Sequence, residues 1–139
     1  MDSAPHFIII DDDPINNALC GMIIKHAFSA VSVQTFLFPE EALQYFKNGL
    51  FKTQREDPGV VFLDINMPKM DGWEFLDEYE TLDENIRSRW RVYILSSSIN
   101  DEDQKRALAN RHVVSYLVKP MQKNILLSIA ASLGEAVSG

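Results

Sequence analysis

Acidic residues follow two apolar stretches of the sequence. Asp11 and Asp12 come directly after the stretch FIII, and Asp64 comes directly after VVFL. Both stretches have the composition of strands that are covered on both faces of a parallel sheet. Neighbouring carboxylates repel one another unless a cation shares their charge, and Mg²⁺ takes carboxylate, carbonyl and phosphate oxygens as ligands. The three aspartates therefore predict a magnesium site.

A hydroxyl group and an ammonium group follow two later apolar stretches. Ser96, the first of three serines, follows VYIL, and Lys119 follows YLV. In an open parallel α/β sheet the carboxyl ends of the strands share one edge, where ligands bind. We therefore expect both groups to lie beside the aspartates. This combination suits phosphoryl transfer, in which a carboxylate is the nucleophile, a metal neutralises charge and a lysine pairs with the phosphate.

The strands that must position these residues alternate with helical patterns along the chain, which predicts an α/β fold with a parallel sheet. The predicted strands are Phe7–Ile10, Val31–Phe36, Val60–Leu63, Val92–Leu95 and Tyr116–Val118. Val31–Phe36 alternates between polar and apolar residues, so we place it nearer an edge of the sheet. The stretch Thr81–Arg91 is longer than a minimal loop and is interpreted as a short polar extension of the domain, not as a domain boundary.

Five helices are predicted between and after the strands. The first begins at Asp13 as N-cap with Pro14 in the first helical position, and the third begins with the capping-box pair Asp71 and Glu74. Asn100 caps the fourth. One face of the first helix carries Ile15, Leu19, Met22 and Ile23 with His26. Apolar stripes are also predicted for the second helix, with Ala42, Leu43, Phe46 and Leu50, and for the last, with Ile125, Leu126, Ile129 and Leu133. The third helix is expected to bury Phe75, Leu76 and Tyr79, and Ala107 and Leu108 are the main apolar residues of the fourth.

The bulk properties of the chain fit a cytoplasmic globular protein. Its 139 residues suit one domain over the range 1–139, and its net charge of −7 argues against a broad nucleic-acid surface. No apolar run approaches the ~18 residues of a membrane span, and the first residues do not form a signal peptide. Cys20 is the single cysteine, which excludes an internal disulfide and fits a reducing compartment.

Four motifs carry a family resemblance. The stretches IIIDDDP, VVFLDINMPKMDGWEFL, YILSSS and YLVKP, in this order, resemble the CheY-like receiver domain of two-component response regulators, and the resemblance extends from about His6 to Leu133. It implies a flavodoxin-like three-layer fold, with a five-stranded parallel sheet of order 2-1-3-4-5 and helices on both faces. Because the sequence ends soon after the fifth predicted helix, we expect a stand-alone receiver.

The resemblance implies a role for each residue of the predicted site. Asp64 would receive a phosphoryl group from a sensor histidine kinase or a histidine phosphotransfer protein. Asp11 and Asp12 would hold Mg²⁺ together with Asp64 and the backbone carbonyl of Asn66, one of the acidic pair binding the metal directly. Lys119 would pair with the phosphate. The protein would then be a stoichiometric phosphoacceptor rather than an enzyme acting on a separate substrate.

The resemblance also implies a conformational switch. Ser96 matches the switch hydroxyl and Tyr116 the aromatic switch position, and the Lys119–Pro120 bond is expected to be cis. Ser98 and Asn66 occupy positions that tune dephosphorylation. The fourth helix, the fifth strand and the fifth helix would form the surface that binds a downstream protein effector, and whether the protein forms a homodimer stays open.

Two other functions are weighed against this one. Asp11 and Asp13 superficially match the nucleophile and general acid of a phosphatase of the haloacid-dehalogenase type. That family also needs an acidic metal-binding pair after its lysine, whereas only Glu135 follows Lys119 here, and it has no use for Asp64. A degenerate receiver that only binds partners is disfavoured because all of the site positions are present.

Overall fold

The computed structural model describes residues 6–29, 31–48 and 59–138, with side chains up to residue 133 in the last helix. Its elements in chain order are β1 (His6–Ile10), α1 (Pro14–Ala27), β2 (Ser32–Phe36), α2 (Pro39–Asn48), β3 (Gly59–Leu63), α3 (Gly72–Glu80), α4 (Glu84–Arg87), β4 (Trp90–Ser96), α5 (Asp101–Ala109), β5 (Val113–Val118) and α6 (Lys123–Ser138). The five predicted strands are confirmed, although β4 and β5 begin earlier than expected. Leu50, predicted to end the stripe of the second helix, lies outside the described residues.

The sheet has the order β2-β1-β3-β4-β5, and every neighbouring pair is parallel. The predicted flavodoxin-like sheet is therefore confirmed, as is the position of the alternating second strand at an edge. One core cluster joins the sheet to α2, α3 and α5, and a second joins its other face to α1 and α6. Because β3 is the middle strand of this order, its carboxyl end lies at the centre of the edge.

The apolar stripe of α1 does not face the core. Ile15, Leu19 and Met22 are 69%, 54% and 67% exposed, whereas Cys20 and Gly21 are buried. The helix instead buries the side that carries Asn17, Cys20, Gly21 and Ile24. Ile15, Leu19 and Met22 therefore form an exposed apolar face.

The interpretation of Thr81–Arg91 as a polar extension is wrong in two respects. Asp83 caps the short helix α4 by accepting from the Asn85 N–H, so the structure has a helix that the sequence pattern missed. The segment also contributes to the core, because Leu82 and Trp90 are nearly buried. A helix of one turn has too few residues to show a periodic pattern.

Local signals at the helix starts are confirmed. Asp71 accepts from the Glu74 N–H at 2.8 Å, and the Glu74 carboxylate accepts from the Asp71 N–H at 3.0 Å, which completes the capping box of α3. Gly72 then lets α3 begin close to the end of β3, since a Cβ at this position would lie 2.8 Å from the Asp64 carbonyl oxygen. A side chain there would displace the backbone on which Asp64 stands.

The end of β5 is fixed against the end of β4. The Lys119 N–H donates to the Ser96 carbonyl at 2.9 Å, so the pairing of the two strands continues past β5. The Lys119–Pro120 bond is cis, as the resemblance implies. Among the residues that the structure describes, no helix has both the length and the apolar character that crossing a membrane requires.

Candidate functional site

Three carboxylates meet at the carboxyl edge of the sheet. Oxygens of Asp11, Asp12 and Asp64 all lie within 4.8 Å of one another. Asp11 and Asp64 are almost fully buried, whereas Asp12 is exposed. This mixture of buried and accessible oxygens fits Mg²⁺, which binds a few carboxylates and keeps several waters or phosphate oxygens.

Backbone pairing places the two buried carboxylates side by side. The Asp11 N–H donates to the Phe36 carbonyl at 3.0 Å, and the Asp64 N–H donates to the Ile10 carbonyl at 3.0 Å. The parallel ladder thus continues one residue beyond the ends of β1 and β3. Both aspartates are held by the sheet itself, so their positions do not depend on a loop.

Two asparagines that sequence reasoning missed hold Asp11. The Asn16 amide donates to Asp11 Oδ2 at 2.8 Å, and the buried Asn17 amide donates to the Asp11 carbonyl at 2.9 Å. Asp11 Oδ1 accepts from the Asp13 N–H at 2.9 Å. One sequence feature could have revealed this role: both asparagines lie in the first turns of a predicted helix that starts directly after the acidic run.

Lys119 lies between the buried carboxylates but closer to one of them. Its Nζ is 2.7 Å from Asp11 Oδ2 and 3.5 Å from Asp64 Oδ2. Burial opposes the charge on this lysine, but the hydrogen bond to Asp11 and the charge of Asp64 outweigh burial and raise the pKa of Lys119. The ammonium therefore stays charged at neutral pH, with its stronger contact to Asp11.

The negative charge of Asp64 is less well compensated than the negative charge of Asp11, the other buried carboxylate. Burial and the neighbouring charge of Asp11 raise the pKa of Asp64, against the opposing effects of the Asn66 N–H and Lys119. The Asn66 N–H donates to Asp64 Oδ1 at 3.2 Å. A buried carboxylate with a long contact to its cation and an unfavourable charge beside it is a suitable place to bind a further cation or a reactive group.

The predicted switch residues meet through a third residue. Ser96 is fully buried, and its hydroxyl accepts from the Ser98 N–H at 3.1 Å. The half-buried Tyr116 donates its hydroxyl to the Ser98 carbonyl at 2.8 Å. Sequence reasoning named Ser98 only as a position that tunes dephosphorylation and did not place it between Ser96 and Tyr116.

A family model described as the response regulator receiver domain matches residues 7–131. The chain belongs to this family. It is thus a two-component phosphoacceptor domain, and the resemblance found in the four sequence motifs is confirmed.

Named relatives and solved structures agree with the family. The chain is 42% identical over 125 residues to the probable methanogenesis regulatory protein FilR2 of Methanothrix harundinacea, which covers 84% of this chain and 74% of that protein. A two-component response regulator from Cytophaga hutchinsonii matches with a TM-score of 0.84 and 30% identity over 96% of this chain and 99% of the other. CheY in a CheX–CheY–BeF3–Mg²⁺ complex from Borrelia burgdorferi matches with a TM-score of 0.72 and 25% identity, covering 94% and 89%. The chain spans 44% and 40% of the length of two further curated relatives.

Proposed function

We propose that Asp64 is the residue that accepts the phosphoryl group. The observation that carries this assignment is a buried carboxylate at the centre of the sheet edge, with two carboxylates within 4.8 Å and the Lys119 ammonium 3.5 Å away. An Asp64 carboxylate oxygen would attack the phosphorus of a phosphohistidine. The new O–P bond forms as the N–P bond breaks, and the histidine nitrogen leaves with the electron pair.

The carboxylate cluster fits Mg²⁺. Asp12 is exposed and accepts no hydrogen bond from any residue in the described ranges, so its oxygens are available for direct ligation. Asp11 is already engaged by Lys119, Asn16 and a backbone N–H, so we assign it to the water ligands of the metal. Asp64 and the Asn66 carbonyl complete the proposed ligand set. The ion would neutralise charge on the transferring phosphoryl group.

Ser96 and Tyr116 are proposed to report the phosphorylated state. The phosphoryl group adds negative charge and three acceptor oxygens to Asp64. Lys119 is already beside that carboxylate, and the buried Ser96 hydroxyl stands at the end of the neighbouring strand. A bond from this hydroxyl to the phosphoryl group would draw Ser96 toward Asp64 and alter the position of Tyr116, which contacts the same turn.

The phosphoryl donor is proposed to be a histidine kinase or a histidine phosphotransfer protein that docks on the exposed apolar face of α1. Ile15, Leu19 and Met22 form this face, and α1 starts directly after the acidic run. A donor that covers them would gain apolar contact area while presenting its phosphohistidine at the site. Since such donors are charged with phosphate inside the cell, we place the protein in the cytoplasm.

The downstream effector is proposed to bind the face formed by α5, β5 and α6. Exposed large apolar residues lie on all three elements: Leu108, Val114, Val118 and Leu127. The fourth helix, fifth strand and fifth helix of the sequence analysis are these elements. The protein would act there by binding, as a stoichiometric phosphoacceptor rather than an enzyme with a separate substrate.

Intact-mass measurement after incubation with acetyl phosphate and Mg²⁺ tests the phosphoacceptor assignment. We expect one added phosphoryl group on the wild type and none on Asp64→Asn. Asp13→Asn is the matched control, since asparagine caps a helix as well as aspartate does and the variant should be labelled normally. Labelling that survives in Asp64→Asn and maps to Asp11 or Asp13 would instead favour the phosphatase alternative.

A comparison of two donors tests the docking assignment. Leu19→Ser should slow phosphotransfer from a phosphorylated histidine phosphotransfer domain but leave labelling by acetyl phosphate unchanged. Val114→Ser is the matched control, because it removes an exposed apolar side chain of β5 instead. If Val114→Ser slows the protein donor and Leu19→Ser does not, the donor binds the other face and the assignment of the two surfaces is reversed.

A further inference from the structure

The turn between β4 and α5 places four hydrogen bonds on one residue, Ser98. Its N–H donates to Ser96 Oγ at 3.1 Å, and its carbonyl accepts from the Tyr116 hydroxyl at 2.8 Å. Its own hydroxyl donates to Asp103 Oδ2 at 2.8 Å and accepts from the Asn100 N–H at 3.2 Å. Ser98 therefore contacts both proposed switch residues and the first turn of α5.

These contacts are particular to Ser98 among the serines of this turn. Ser97 is exposed, and its side chain makes no hydrogen bond within the described ranges, whereas Ser98 is half-buried. The acceptor Asp103 is itself half-buried in the first turn of α5, where a negative charge is favoured by the helix dipole. A hydroxyl bonded to a carboxylate is a charge-assisted contact and stronger than an ordinary turn hydrogen bond.

The bonding capacity of a hydroxyl couples Ser98 to Ser96. A serine hydroxyl has one hydrogen to donate and two lone pairs that accept. Ser96 can therefore donate to a phosphoryl oxygen on Asp64 while it continues to accept from the Ser98 N–H. A movement of Ser96 toward Asp64 then draws the Ser98 backbone with it.

We propose that Ser98 is a positioning residue that passes the movement of Ser96 to helix α5 through its side-chain bond to Asp103. The proposal rests on the proposed function, because the movement starts with phosphorylation of Asp64. Tyr116 and α5 receive the signal from different atoms of the same residue: the carbonyl of Ser98 holds Tyr116, and its hydroxyl holds Asp103. Removing the hydroxyl should separate the two responses.

NMR spectra with beryllium fluoride and Mg²⁺ as the phosphoryl mimic test this separation. In Ser98→Ala we expect the mimic to bind as tightly as in the wild type and to shift Tyr116 signals, while the amide shifts of Asp101–Ala109 are largely lost. Ser98→Thr keeps the hydroxyl and should restore the shifts in α5. Ser97→Ala is the matched control and should behave as the wild type.

Asp103→Ala provides the second half of the test. It should remove the α5 shifts that depend on the Ser98–Asp103 bond, and the double variant should lose no more than Ser98→Ala alone, because both substitutions remove that bond. Ser98→Ala also removes the bond from the Asn100 N–H, so any loss seen in Ser98→Ala but not in Asp103→Ala belongs to that second bond. In the free protein, either variant should speed hydrogen exchange of the Glu102 and Gln104 amides, which are bonded to Asn100 at the start of α5, about tenfold, the size expected for losing a bond to a charged group.

Two failures of this experiment are distinguishable. If Ser98→Ala keeps the mimic-induced shifts of α5, the link through Asp103 is wrong, although phosphorylation of Asp64 stands. If the wild type neither binds the mimic nor accepts phosphate, the proposed function is wrong and the inference about Ser98 falls with it.

Discussion

Two clusters in this protein pair carboxylates with basic side chains in different surroundings. At the carboxyl edge of the sheet, Asp64 is buried beside Lys119. Before the start of β5, Glu80 pairs with Arg111 at 2.5 Å while both side chains stay largely in solvent. Burial raises the pKa of Asp64, whereas the bonds from Arg111 and His112 lower the pKa of Glu80 to about 2.

The opposite shifts distinguish the proposed phosphoryl-accepting site from a surface contact. The Glu80 side chain stays 48% exposed, so water as well as Arg111 and His112 compensates its charge. Asp64 has given up water for a cation that lies closer to Asp11 than to itself. The buried cluster therefore keeps an excess of negative charge, and a Mg²⁺ ion bound at the proposed site would relieve the free energy that this excess costs.

The largest loss of stability is expected from the variant Lys119→Met. It leaves Asp11 and Asp64 buried without their ammonium partner. We expect the free energy of unfolding to fall by about 2 kcal/mol at pH 7 without Mg²⁺, less than the loss of a fully buried partner because the ammonium keeps some contact with water. The pKa of Lys119 is raised, so its charge stabilises the fold at all pH values below the ordinary 10.5 and is lost only above it.

Urea denaturation measures this loss, with Lys25→Met in the exposed part of α1 as the control. Mg²⁺ should restore part of the stability of Lys119→Met, because it supplies positive charge to the same carboxylates. A variant as stable as the control in metal-free buffer would mean that the lysine does not compensate the buried charge.

Asp64→Asn should stabilise the metal-free protein. The pKa of Asp64 is higher in the folded than in the unfolded state. Protonated Asp64 therefore contributes its full stabilisation of the fold below the ordinary pKa of 3.8, and this contribution is lost as the pH rises through the folded pKa. At pH 7 the charge on the buried Asp64 carboxylate lowers the free energy of unfolding, and the uncharged amide of the variant removes this penalty. Thermal melts should show a higher Tm for the variant at pH 7, no advantage near pH 3, and a smaller difference once Mg²⁺ is added. A lower Tm at pH 7 would contradict this.

Asn16→Ala should have a smaller effect at the same site. The lost bond to Asp11 Oδ2 is worth about 1.5–3 kcal/mol for a charged acceptor, and alanine regains up to about 0.7 kcal/mol as a better helix former. The net loss in the free energy of unfolding is then about 0.8–2.3 kcal/mol, and we expect the lower part of this range because the bond is only partly buried. Urea denaturation at pH 7 measures it. A variant as stable as the wild type would show that Lys119 and the Asp13 N–H hold Asp11 without help.

Short-range patterns predicted most of this fold. The cap at Asp13 and the capping box of Asp71 and Glu74 depend on neighbours in the sequence, and the structure confirms them. The rule that strands end at a common edge also predicted that Asp64 and Lys119 would meet, because it follows from the parallel sheet alone.

The features that the sequence did not predict depend on contacts between elements that are distant in the sequence. The periodic stripe through Leu19 indicated a face of α1 but not its direction, since the buried side is the one on which Cys20 and Ile24 meet core residues of the sheet and α6 that are distant in the sequence. The preference of Lys119 for Asp11 over Asp64 is a difference of less than an ångström in distance, which no sequence pattern contains. Ser98 looks like its neighbour Ser97 in the sequence and differs only in its three-dimensional contacts.

The smallest effect is expected from Glu80→Gln, in the exposed cluster. The folded pKa of Glu80 is about 2 against an ordinary 4.5, so its ion pair stabilises the protein above pH 4.5 and is lost as the pH falls through about 2. The Tm of the variant should lie slightly below that of the wild type at pH 7 and equal it near pH 2. Because the pair is in solvent, ~1 M salt should abolish the difference at pH 7. If it persists in salt, or exceeds the effect of Asn16→Ala, exposure does not distinguish the two clusters.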